Sequence, residues 1–146
     1  MTTTRRRPGR IALVGGIALS LGVTAIAWAW VDPATAGPVT VDLPIRYSHF
    51  ERPTMTVEAG VPITIVLRND DPIDHEWIVG DEGVHARHRN GTEPTHASRP
   101  TEVTIPAGST RTTTISFATP GTYLYICHLP GHEGYGMVGT LVVTGG

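Results

Sequence analysis

The chain carries a single cysteine among 146 residues, and that scarcity removes several chemistries at once. Disulfide frameworks need pairs of cysteines, and iron–sulfur clusters or covalent haem attachment need more than one thiol. A structural zinc site asks for four Cys or His donors, and a binuclear copper centre of the oxidase type needs a second cysteine. Lysine is absent, so all 11 basic residues are arginine. Four of them, Arg5, Arg6, Arg7 and Arg10, precede the run IALVGGIALSLGVTAIAWAWV over residues 11–31, which contains no charge. After residue 38 the chain has no internal repeat, no low-complexity tract and no segment with a convincing helical period.

The first quarter reads as an export element. A basic start, an apolar stretch and the small residues Ala34 and Ala36 ahead of Gly37 fit a signal peptide covering 1–36. The run 11–31 is also long enough to span a hydrocarbon core needing about 20 residues, with the arginines left on the cytoplasmic side. A cleaved leader and a retained N-terminal apolar helix both stay open, and each places the domain at 37–146 outside the cytoplasm, either secreted or periplasmic or anchored in the membrane. Without residues 1–36 the domain keeps 7 Arg against 12 Asp and Glu, a net charge of −5, after removal of four Arg and Asp32 from the totals of 11 and 13. An acidic domain argues against nucleic acid as a partner and suits a basic redox partner.

From Val39 onward the pattern is β. Eight short stretches, at 39–47, 54–59, 62–69, 75–80, 101–107, 109–118, 121–127 and 138–144, are rich in β-branched or aromatic residues, and Pro, Gly and Asx turns separate most of them. Seven or eight such strands in about 110 residues predict an all-β Greek-key sandwich. Residues 81–100, DEGVHARHRNGTEPTHASRP, break the rhythm. The stretch is polar and is expected as a long surface loop; its His85, His88 and His96 offer a second metal site or a docking surface, with a solvated loop as the preferred reading.

The chemistry concentrates in YLYICHLPGHEGYGM, residues 123–137. Cys127, His132 and Met137 recur at intervals of five and offer a thiolate, an imidazole and a thioether, a set suited to copper cycling between Cu(I) and Cu(II). An unpaired cysteine in an oxidising compartment is best explained as a metal ligand. A mononuclear site of two His, one Cys and a weak axial Met needs one more histidine. His75 is the best placed, since it opens HEWIVG directly after the turn NDDPID. His49 sits in a strand-ending turn, and the His128 side chain should point away from the metal if the backbone there is extended.

NDDPIDHEWIVG and YICHLPGHEGYGMVGTLVV resemble the two copper-binding stretches of the cupredoxins, the blue copper family that includes plastocyanin and azurin. The resemblance covers 39–146 and implies a Greek-key sandwich with one type 1 copper on His75, Cys127 and His132 and a long axial bond to Met137. It implies electron transfer rather than substrate turnover, with His132 as the solvent-facing exit beside Pro130, Gly131, Tyr135 and Gly136. The expected partner is a redox protein such as a cytochrome or an oxidase, met by a monomer. One departure stands out: plastocyanin and azurin usually carry Asn after the first histidine, where this chain has Glu76, so the bracing of the ligand loop is open. Two rival functions remain, an extracytoplasmic copper carrier or storage protein and a metal-free adhesion module; a multicopper oxidase or nitrite reductase would need further His clusters and another domain.

Overall fold

The structure, a computed structural model, describes residues 39–91, 96 and 99–145. The expected signal peptide or apolar helix over 1–36 lies outside these residues. Among the described residues no helix is long and apolar enough to cross a membrane.

Alternation builds the core. In β4 (Ile63–Asn69) the residues Ile63, Ile65, Leu67 and Asn69 are buried while Thr64, Val66 and Arg68 stay partly exposed, the period of two that a half-covered strand requires. Its neighbour β1 (Val39–Arg46) runs parallel to it, β7 (Thr110–Ile115) pairs on its other side, and the two-residue β2 (His49–Phe50) folds back on β1. The order of this sheet is β2-β1-β4-β7. The second sheet has the order β3-β9-β8-β5-β6, with β3 (Thr54–Glu58), β5 (His75–Gly80), β6 (Glu102–Ile105), β8 (Gly121–Ile126) and β9 (Val138–Thr144). Leu43, Ile45, Ile65, Leu67, Trp77, Ile105, Tyr125 and Leu141 fill the space between the sheets, the leucines and isoleucines each worth roughly 1.5–3 kcal/mol of burial.

The eight expected strands all form. The count becomes nine because His49–Phe50, expected as part of a strand-ending turn, forms a short hairpin arm paired with Arg46 and Ile45. Both turn residues have positive φ, Tyr47 at 52° and Ser48 at 56°, the backbone of a type I′ turn, which normally selects Asn or Gly. Here the carboxylate of Asp71 accepts from both turn N–H groups, Tyr47 at 2.7 Å and Ser48 at 2.8 Å, and so holds the conformation from outside.

Residues 81–100 do not form one solvated loop. Glu82–Arg89 is a helix, α1, started by Asp81, whose side chain accepts from the N–H of Val84 at 3.0 Å. Glu82 in the first turn and Arg87, His88 and Arg89 in the last complement the helix dipole. The helix has no apolar stripe, which is why periodicity missed it; its buried residue is His85. It packs against β5, where a Cβ on Gly80 would come within 2.7 Å of the Val84 side chain. This cover explains why five of six residues in β5 are buried.

Candidate metal centre

Three neighbouring strands of the five-stranded sheet, β5, β8 and β9, bring the candidate ligands to one end of the sandwich. His75 begins β5 and is fully buried; Cys127 follows the last residue of β8 and is also fully buried. The segment between Cys127 and β9 folds on itself, with Cys127 N–H donating to the Met137 carbonyl at 3.2 Å, Met137 N–H to the His132 carbonyl at 3.0 Å, and His132 N–H to the Leu129 carbonyl at 3.0 Å. Gly131 and Gly136, at φ 85° and 92°, allow these reversals.

One donor atom each from His75, Cys127 and His132 lies within 4.8 Å of the other two. His75 Nδ1 is 3.2 Å from His132 Nδ1, which is 3.2 Å from Cys127 Sγ. Met137 is fully buried at the end of the same segment. The ring of His75 is oriented by Asp71, whose Oδ2 accepts from Nε2 at 2.9 Å; this leaves Nδ1 as the lone-pair atom facing the other donors. Burial pulls the Asp71 carboxyl upward, but the N–H groups of Ser48 and Tyr47 together with His75 outweigh it and hold the group below the usual carboxylate range.

A thiolate at this point depends on a cation beside it. Burial pushes the Cys127 thiol up to about 11, despite the Glu76 and Leu129 N–H groups aimed at the sulfur, so a positive charge is needed to keep a thiolate there. Glu76 N–H donates to Sγ at 3.3 Å. Burial, with His75 next to it, lowers the pKa of His132 and keeps its ring neutral and able to ligate. Two imidazoles, one thiol and an adjacent thioether fit copper and match no preference of magnesium or calcium. His132 alone among the four is partly exposed, beside the exposed Pro130, Gly131, Tyr135 and Gly136.

Sequence reasoning passed over Asp71 and Asn69, although both stand in the turn it singled out. Asn69 accepts from Asp71 N–H at 2.9 Å and sends its side-chain NH2 to the carbonyls of Ile73, Ile105 and Pro106, knitting the turn to β6. The Glu76 departure also resolves. Its backbone serves the sulfur as any residue's would, while its carboxylate turns away to accept from His96 Nε2 at 2.7 Å. Bracing of the ligand loop comes from α1 instead: Arg89 forks onto Glu133, next to His132, at 2.7–3.0 Å. His85, His88 and His96 do not join His75; they gather with His128, which does point away from the copper donors, and His49 Nδ1 is occupied by the Tyr47 carbonyl.

Residues 39–144 match the family described as copper binding proteins, plastocyanin/azurin family. The chain belongs to this family. Among the cupredoxins it is 31% identical to auracyanin-A of Chloroflexus aurantiacus over 124 residues, covering 74% of this chain and 76% of that one. It is 30% identical over 98 residues to the copper-resistant cuproprotein CopI of Rubrivivax gelatinosus, with 65% of this chain aligned and 59% of that relative's length spanned. The solved structure of auracyanin A, a "blue" copper protein, superposes with a TM-score of 0.59 at 30% identity, over 74% of this chain and all of that one. The cupredoxin fold and copper as its metal therefore agree with the donor set found at the pole.

Proposed function

We propose that this cupredoxin is an extracytoplasmic carrier of single electrons, with His75, Cys127, His132 and Met137 as the ligands of one type 1 copper. Copper supplies the change between Cu(I) and Cu(II) when bound. The residues supply everything else. A buried pole with interlocked backbone bonds fixes the donors before any ion arrives, so little rearrangement accompanies a change of charge at the centre. The observation that carries the reading is the combination of three converging N, N and S donors with a single exposed edge, His132. That edge lies in a small surface formed by Pro130, Gly131, Gly136 and Tyr135, the last 75% exposed, which suits brief docking of a redox protein such as a cytochrome or oxidase to a monomer. No substrate is turned over.

The test is the visible and electron paramagnetic resonance spectrum of the full chain with Cu(II). An intense thiolate-to-copper band with narrow hyperfine splitting, bleached by reductant, restored by oxidant and lost in Cys127→Ser, is expected. A pale spectrum of nitrogen and oxygen ligands would refute the site.

A second reading, copper carriage or storage, is favoured by the likeness to a copper-resistant cuproprotein. It requires copper to leave readily. Loss of the ion to a mild chelator faster than reduction by a cytochrome would select it over electron transfer.

A further inference from the structure

Outside the copper pole, the strongest unexplained feature is a buried cluster of histidines and carboxylates between α1 and the edge strand β6. His88 Nδ1 lies 2.9 Å from the Val84 carbonyl. A carbonyl only accepts, so Nδ1 carries the proton and Nε2 is the lone-pair atom of the neutral ring. His96 Nε2 donates to the Glu76 carboxylate at 2.7 Å, which leaves Nδ1 as its lone-pair atom. These two nitrogens face each other at 3.4 Å. Glu102 Oε2 lies 3.7 Å from His88 Nε2 and 3.6 Å from His96 Nδ1.

Three acceptor atoms thus form a nearly equilateral triangle around one point. For a side of about 3.6 Å the centre lies at side/√3, about 2.1 Å, from each corner, which is the bond length of zinc to nitrogen and oxygen donors. The surroundings match a prepared metal site in another respect: each ring has its second nitrogen bound to a carbonyl or carboxylate, the arrangement that fixes tautomer and orientation in metal-ligating histidines. The side chains of His88 and Glu102 are 2% and 4% exposed, far below what solvated polar residues show. Arg99 also reaches Glu102, at 3.0 and 3.2 Å from its two oxygens, but a carboxylate has about four lone-pair positions and accommodates both cations.

We propose that His88, His96 and Glu102 form a second metal site, separate from the Cys127 centre, for a divalent ion of the zinc type. Two imidazoles and a carboxylate, with no sulfur, suit Zn2+ or Cu2+ and not Cu(I). Three protein donors leave a fourth position for water or an incoming ligand.

The full chain, with its Cys127 centre first filled with copper, is titrated with Zn2+ by calorimetry and with Co2+ as a spectroscopic probe. One further equivalent binds, Co2+ gives ligand-field bands of a nitrogen and oxygen site, and His88→Ala or Glu102→Gln weakens Zn2+ binding at least about 10-fold. Far-UV circular dichroism identifies a variant that has not folded; Glu102→Gln, which keeps the side-chain shape, then decides. No second equivalent, a thiolate-to-cobalt band placing the ion on Cys127, or binding unchanged in both variants overturns the site. Metal-free protein gives the same His88-dependent uptake, so the result stands whether or not Cys127 holds a type 1 copper.

Discussion

His75 and Asp71, four residues apart, are joined by a 2.9 Å contact between the buried ring Nε2 and Oδ2, and the same carboxylate holds the N–H groups of Tyr47 and Ser48. One side chain therefore fixes a metal donor and a strained turn. Asp71→Ala is expected to cost about 2–4 kcal/mol in the metal-free protein, since the buried His75 ring and the part-buried N–H groups of Tyr47 and Ser48 lose their acceptor, and to weaken copper binding roughly 10–100-fold. Urea unfolding and a competitive copper titration measure the two effects; an unaltered affinity would show that His75 needs no such support.

Gly139 stands opposite Tyr125 in the β8–β9 ladder, and a Cβ there would fall within the Tyr125 ring. The ring is fully buried between Phe50 and Trp77, with its hydroxyl donating to the Arg52 carbonyl. Gly139→Ala should lower stability by about 1–3 kcal/mol through overpacking. Adding Tyr125→Phe leaves the clash in place, so the double variant stays destabilised; recovery of the lost midpoint would place the strain elsewhere.

Burial, with His85 beside it, drops the pKa of His128 to about 4, against roughly 6.5 in an unfolded chain. Its folded pKa is depressed, so the neutral ring favours the fold above pH 6.5 and that contribution disappears as pH falls through about 4. Metal-free protein is expected to lose on the order of 3 kcal/mol across this window. The pH profile of the unfolding midpoint tests this, and His128→Gln should flatten it.

Because the Cys127 thiol lies near 11, it is protonated in the metal-free protein at neutral pH. Copper binding must displace that proton, so affinity should rise about tenfold per pH unit between pH 7 and 9. Competition titrations at pH 7, 8 and 9 read the slope; a flat response would mean that sulfur is not a ligand.

Arg89 and Glu133 are each about one-third exposed (35% and 33%), so their ion pair is worth only about 1 kcal/mol despite its forked geometry. Glu133→Gln should reduce stability by about that amount, less so in high salt, and leave the visible spectrum in place. A lost or shifted thiolate-to-copper band would give the clamp a role in shaping the centre.

The strands and the candidate donor cluster were legible because each has a local signature: alternation in 63–69, and C-x4-H-x4-M with a histidine opening a strand after NDDPID. What escaped depends on distant partners. Tyr47 and Ser48 carry no turn signal of the Asn-Gly kind, and their conformation is set by Asp71, 23 and 24 residues away. Helix α1 has a readable cap in Asp81, but its inner face is His85 and Val84 rather than an apolar stripe, so polarity was mistaken for solvation. Glu76 looked like a missing brace, whereas its partner is His96, placed by a segment with no periodicity of its own.

The parallel pairing of β3 with β9 has a consequence for the order of assembly. Thr54 is matched with Thr140, a separation of 86 residues, and β9 is the last of the described strands. The C-terminal strand both closes the sheet over β3 and anchors the far end of the loop from Cys127 to Met137. Contacts so distant in the chain carry a loop-closure cost that local pairings do not, and the candidate metal pocket depends on them. A growing or truncated chain that stops at Met137 would hold Cys127, His132 and Met137 as a loose peptide, without the rigid pole that distinguishes one ion from another.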